Sequence, residues 1–148
     1  MTTQPDFEEF LSLLGKHRVE YMLVGGYAVA FHGYPRFTKD LDVYYLRSDE
    51  NIRRLKAVLI EFGFSASEVD ALAFDREGEI IRFGVEPVQI DLLNRVDGIT
   101  FEEAARSVVQ GTYGDAPAVF VGKVQLIRNK RATPRLKDKV DAEELEQE

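Results

Sequence analysis

The sequence predicts an α/β (α+β) domain in which a mixed sheet of four or five strands is flanked by helices. Apolar runs such as Tyr21–Val24 and Val88–Leu93 are typical of strands. Segments of helical periodicity, such as Asp49–Phe62, lie between them. A chain of 148 residues suits one domain, so residues 1–148 are expected to form a single unit, with the acidic tail 141–148 frayed.

Periodicity, capping residues and turn residues place the individual elements. Helices are expected over residues 6–16, 26–32, 49–62, 101–109 and 123–131. Two more are expected, a short one capped by Ser67 and a final one that begins at Thr133-Pro134. Strands are expected over residues 20–24, 41–46, 79–83, 88–93 and 118–121, with a hairpin turn over residues 84–87.

The composition is that of an ordinary globular protein, 45% hydrophobic and 30% charged, with a net charge of −7. The acidic N-terminus does not have the pattern of a signal peptide, and no apolar run is long enough to cross a bilayer. Because the chain has no cysteine, it has no disulfide framework and no thiolate metal site. A cytoplasmic location is therefore expected. The acidic charge argues against non-specific nucleic-acid binding, yet residues 123–139 carry seven Lys/Arg and one acid.

The most informative stretch is residues 21–45, where an apolar strand leads into Gly25-Gly26 and then a short helix. Backbone N–H groups at a helix start carry no intrahelical partner, and glycine lets a phosphate approach them closely. The pair therefore predicts a phosphate-binding turn. The alternative is a tight turn that binds nothing. A Rossmann dinucleotide site is disfavoured because the glycine spacing does not fit GxGxxG.

Two aspartates follow on the next strand. Residues i and i+2 of a strand project from the same face, so Asp40 and Asp42 are expected side by side. Adjacent carboxylates repel unless a cation lies between them, and ligands with only oxygen donors favour a hard ion such as Mg²⁺. The alternative is that Asp40 caps the strand and Asp42 is solvated at a sheet edge.

This pattern resembles the signature of the nucleotidyltransferase superfamily with the polymerase-beta-like fold. The glycine pair, Ala28, His32-Gly33 and Arg36-x-Thr38-x-Asp40 are similar to its small bacterial branch, which includes the AbiEii-type toxin nucleotidyltransferases. The resemblance implies a nucleotidyltransferase-like sheet. It also implies a third catalytic carboxylate on a neighbouring strand, and Asp91 matches it in position and context.

The resemblance extends to further site residues. Arg36 and Thr38 match positions that touch phosphate or position the metal strand, whereas Lys39 is interpreted as a solvated loop residue. Near the C-terminus, Lys130, Arg135 and Lys137 match a basic stretch of the branch and are expected to bind phosphate. For each of these three cations the alternative is a solvated helix face.

The implied activity is an Mg²⁺-dependent transfer of an NMP from an NTP such as ATP to an acceptor hydroxyl. Two Mg²⁺ ions would be held by Asp40, Asp42 and Asp91. The acceptor could be RNA such as tRNA, a protein or a small molecule, and the branch suggests a toxin paired with an antitoxin. The alternative is a non-catalytic nucleotide-binding or protein-interaction module on the same fold.

Overall fold

The computed structural model describes residues 3–34, 38–85 and 88–147, so Arg36 lies outside the described residues. Within them the helices are α1 Pro5–Lys16, α2 Gly25–Phe31, α3 Asp49–Phe62, α4 Ala66–Asp70, α5 Phe101–Ala105, α6 Lys123–Ala132 and α7 Leu136–Glu146. The strands are β1 Tyr21–Val24, β2 Asp40–Tyr45, β3 Ile80–Val85, β4 Val88–Leu93, β5 Val109–Tyr113 and β6 Ala116–Phe120. None of the described helices is both long and apolar enough to cross a bilayer.

The strands form one mixed sheet in the order β3-β4-β2-β1-β6-β5. β2 pairs in parallel with β4 and antiparallel with β1, while β1 pairs in parallel with β6. The hairpins β3–β4 and β5–β6 form the two edges of the sheet. The strands that were expected to carry the acids, β2 and β4, are therefore direct neighbours in the interior of the sheet.

Helices α1 and α3 pack on one face of the sheet. Phe10 of α1, Phe62 of α3 and Phe83 of β3 form a triangle of aromatic contacts, with ring centroids 5.3–6.1 Å apart. Leu41 and Val43 of β2 are fully buried, as their position on the apolar face requires. The aspartates of β2 alternate with these residues and so project from the opposite face.

The capping pattern of α3 is confirmed, and that of the next helix is not. Ser48 accepts a hydrogen bond from the backbone N–H of Asn51, and Gly63, with a φ of +134°, follows the last residue of α3. For α4 the cap is Ser65, not Ser67. Ser65 and Glu68 form a reciprocal capping box, which satisfies two helix-start N–H groups, whereas Ser67 lies inside the helix.

The described sheet has six strands, so the expectation of four or five was wrong. The missed strand is β5, since residues 110–113 were given no element. The helix expected over residues 101–109 was also too long, because α5 ends at Ala105 and β5 begins at Val109. Gly114, with a φ of +58°, and Asp115 form a two-residue turn that pairs Tyr113 with Ala116. Such a turn fixes a β-hairpin, and the pairing of β5 with β6 holds residues 109–113 in the extended conformation.

The C-terminal segment also differs from expectation. α7 begins after Arg135, and Thr133 is the C-cap of α6, so Thr133-Pro134 does not start the last helix. The tail expected to fray is helical through Glu146, with Ala142 and Leu145 buried. Burial of these apolar residues provides the packing that a short helix needs in order to persist.

Candidate active site

The register of β2 and β4 brings two of the predicted carboxylates together. Asp42 pairs directly with Asp91, and Asp40 pairs with Gln89 two residues earlier. Directly paired residues of neighbouring strands project to the same side of a sheet, so all three aspartates share the face opposite α1 and α3. Asp91 is only 5% exposed.

The electrostatics of Asp42 reflect this crowding. Burial, then the neighbouring charges of Asp91 and Asp40, raise the pKa of Asp42 to about 7, against an ordinary value of 3.8. The positive charge of Lys130 opposes this rise in the pKa, while a hydrogen bond with the Asp91 carboxyl group favours the protonated form. Near neutral pH the Asp42 carboxyl therefore retains a proton part of the time, and a bound cation would favour its ionised form.

A guanidinium group already contacts the third acid. Arg82, directly across from Asp91 in the β3–β4 pairing, donates from Nε to Oδ1 at 2.9 Å and from Nη2 to Oδ2 at 3.1 Å. The Gln89 side chain adds a longer bond to Oδ1 at 3.4 Å. Such a bidentate pair is a strong, directional interaction, and it raises the pKa of Arg82.

The glycine pair lies against the acids. Gly25 has a φ of +71°, and a Cβ there would lie 2.1 Å from Oδ2 of Asp42. A Cβ on Gly26 would lie 2.4 Å from the Thr38 hydroxyl. Both glycines are thus required for close packing against Asp42 and Thr38, and the phosphate-binding turn stays a prediction. Near the end of α2, His32 bonds through Nε2 to the Val121 carbonyl oxygen at 2.7 Å, so its imidazole has a structural role.

The basic C-terminal segment faces the acids across a cleft. The Lys130 ammonium, in a side chain only 9% exposed, donates to Asp138 at 2.9 Å and lies 3.3 Å from Asp141. Burial opposes ionisation of Asp138, but hydrogen bonds from Thr133 and Lys130 outweigh it, so the pKa of Asp138 is lowered. Lys130 is therefore a cation fixed between two carboxylates, and its contact with phosphate stays a prediction.

These groups line one cleft of about 520 Å³. Every described member of the predicted site contributes to its wall, namely Gly25, Gly26, Thr38, Asp40, Asp42, Asp91, Lys130, Arg135 and Lys137. Lys39 also lines it. Arg82 was not singled out from the sequence, since only its register with Asp91 marks it as a site residue.

A second cleft of similar size lies at the other ends of β2 and β4. Its buried amide, Asn94, donates to Tyr45 and to two backbone carbonyl oxygens and accepts from the Gly78 N–H. With its polar groups engaged inside the protein, Asn94 has a structural role. Four acidic residues also line this cleft, and one of them, Glu103, is paired with Arg128.

The donor set can be tested against a hard divalent cation. Carboxylate oxygens are the right ligands, and burial together with the charges of Asp91 and Asp40 disfavours the ionised form of Asp42, which a bound cation would stabilise. Across the described ranges, no group of three or more His, Cys, Asp or Glu side chains is drawn together in a metal-binding arrangement. The oxygen donors of Asp42 and Asp91 thus fit the ion by their chemistry but not by their arrangement, in which Asp91 is held by Arg82.

Comparison with known proteins gives no family model that matches the chain and no match among curated proteins.

Proposed function

We propose that this protein is an Mg²⁺-dependent nucleotidyltransferase that moves an NMP from an NTP to an acceptor hydroxyl. The observation that carries the proposal is the pairing of Asp42 with Asp91 inside a cleft whose opposite wall is basic. In a protein of net charge −7, this cleft is lined by the cations Lys39, Arg82, Lys130, Arg135 and Lys137. The carboxylates suit a metal ion and the neighbouring cations suit phosphate groups, so the cleft fits a metal-bound triphosphate.

The side-chain chemistry of each residue suggests its role in the reaction. Asp40, Asp42 and Asp91 would hold the metal, with two ions expected, and the bound metal supplies charge stabilisation for an in-line displacement at the α-phosphate. Arg135 and Lys137, exposed at the rim, would bind the outgoing pyrophosphate, and guanidinium suits bidentate phosphate contact. Asp91, buried beside Asp42, would receive the proton of the acceptor hydroxyl.

The nucleotidyltransferase-like fold is part of this proposal. Its support is the order of elements from β1 through the glycine turn and α2 to the acid-bearing strand β2, with Asp91 on the parallel neighbour. The proposal also includes two features that the sequence resemblance suggests. The acceptor is an RNA, a protein or a small molecule, and the protein is paired with an antitoxin.

A non-catalytic nucleotide-binding module is the second candidate, and one observation favours it. Both oxygens of Asp91 are engaged by Arg82 rather than left open to the cleft. A module of this kind would bind nucleotide through the basic wall and would tolerate loss of the acid.

The test follows the fate of the phosphates. The protein is incubated with Mg²⁺ and an NTP labelled at the α- or the γ-phosphate, together with total RNA, protein extract or a small-molecule extract. We expect α-label, and not γ-label, to reach one class of acceptor. Asp91→Asn should abolish transfer while the protein stays folded, and the exposed Asp115→Asn should not.

The opposite results separate the candidates. Nucleotide binding that persists in Asp91→Asn, with no transfer of α-label by the unaltered protein, would support the binding module. Transfer of γ-label would mean phosphoryl rather than nucleotidyl transfer and would refute the proposal.

A further inference from the structure

Arg82 stands out among the cations of the cleft because of where its charge lies. It is on the edge strand β3, and its side chain is 59% exposed, yet its guanidinium reaches a carboxylate whose side chain is 7% exposed. The two bonds, at 2.9 and 3.1 Å, occupy both oxygens of Asp91. Arg82 therefore holds the oxygens that a metal ion would require.

The pairing has a clear electrostatic reason. Asp91 is buried next to Asp42 and on the same face as Asp40, so without a counter-ion three acids would be crowded in one site. A buried carboxylate without a partner is strongly unfavourable. A divalent cation would relieve the same crowding, and it would need the same lone pairs.

Lys130, another cation of the cleft, differs from Arg82 in its burial and in its ion-pair partners. Its ammonium is buried and bound by Asp138 and Asp141, which lie on the helix that packs against its own. Movement of Lys130 would break two buried ion pairs, one with Asp138 and one with Asp141. Movement of Arg82 would transfer an exposed guanidinium to solvent, while the backbone pairing of β3 with β4 could stay unchanged.

We propose that Arg82 is a positioning residue that holds the Asp91 carboxylate in the metal-free site and is displaced when a divalent cation takes the Asp91 oxygens. This inference depends on the proposed function, because it assumes that Asp91 is a metal ligand. Binding of the ion therefore includes the cost of breaking the Arg82–Asp91 pair. Arg82 sets the metal concentration at which the site is filled.

The test measures metal binding directly. Mn²⁺ replaces Mg²⁺, and the free ion is counted by its electron paramagnetic resonance signal in titrations of the metal-free protein without nucleotide. Removal of the competing guanidinium in Arg82→Gln should tighten Mn²⁺ binding by roughly tenfold to a hundredfold, the equivalent of losing one or two charge-assisted hydrogen bonds. Arg76→Gln, which removes an exposed arginine paired with Glu79 at 3.2 Å, should leave the dissociation constant unchanged.

A second variant guards against misfolding. Arg82→Lys keeps the positive charge but loses the bidentate contact with Asp91, so its Mn²⁺ affinity should fall between those of the unaltered protein and Arg82→Gln. Equal or weaker binding in both variants, with Mn²⁺ still bound by the unaltered protein, would overturn the role of Arg82 and leave the proposed function standing. No Mn²⁺ binding by any of these proteins would overturn both.

Discussion

Replacement of Asp42 by Asn is expected to stabilise the metal-free protein at pH 8 and to have little effect near pH 4. Because burial, Asp91 and Asp40 raise the pKa of Asp42 to about 7, the folded protein holds a proton that the unfolded chain releases near 3.8. The folded state therefore loses stability as the pH rises from about 4 to about 7, and this loss is complete above pH 7. The positive charge of Lys130 limits this loss of stability.

The gap between 3.8 and about 7 corresponds to roughly 4 kcal/mol, which is an upper limit because Asp42 is only partly buried and solvent weakens both the burial penalty and the repulsion from Asp91 and Asp40. For a chain of this length each kcal/mol moves the melting temperature by about 2–4 °C, so we expect Asp42→Asn to melt higher at pH 8, by at most about 8–16 °C. Thermal unfolding in EDTA, at pH values from 4 to 8, measures the difference, with the exposed Asp115→Asn as the control. A variant that melts lower at pH 8, or a difference that does not change with pH, would refute the reasoning.

Two further predictions concern stability. In urea unfolding, Gly25→Ala should destabilise the fold by about 2 kcal/mol or more, because Gly25 has a φ of +71° and the added methyl group would clash with Asp42. The control is Gly15→Ala, inside α1 with open space around it, which should be neutral or stabilising by up to about 1 kcal/mol. Lys130→Met should cost about 3–5 kcal/mol in the same assay because it removes the buried ammonium that pairs with two buried aspartates, whereas the exposed Lys139→Met should change stability by less than about 0.5 kcal/mol. An unaffected Gly25→Ala, or equal losses for the two lysine variants, would contradict the packing described.

Elements fixed by local signals were predictable from the sequence. The helix Asp49–Phe62 was predicted with its observed ends, because Ser48 and Gly63 supply a start and a stop within the segment itself. The strand with Asp40 and Asp42 on one face followed from the two-residue period of β structure. β5 was missed because its strand character depends on pairing with β6, which a local pattern does not contain.

The candidate site likewise combines features that local sequence predicts with features that depend on strand register and helix packing. The type and spacing of the aspartates indicated a cation, but the contact of Arg82 with Asp91 depends on the length of one turn. A four-residue turn over residues 84–87 would pair Arg82 with Gln89, whereas the observed pairing of Val85 with Val88 moves it by two residues to Asp91. The burial of Lys130 likewise required knowledge of how α6 and α7 pack.

The most direct test of the proposed function is thermal unfolding in the presence of ATP, GTP, CTP or UTP, with and without Mg²⁺. A nucleotide at about 100 times its Kd should stabilise the fold by roughly 2.7 kcal/mol. We expect at least one NTP to raise the melting temperature only when Mg²⁺ is present, and the rise to disappear in Asp42→Asn. No shift with any nucleotide, or a shift that needs neither Mg²⁺ nor Asp42, would contradict a metal-dependent triphosphate site in this cleft.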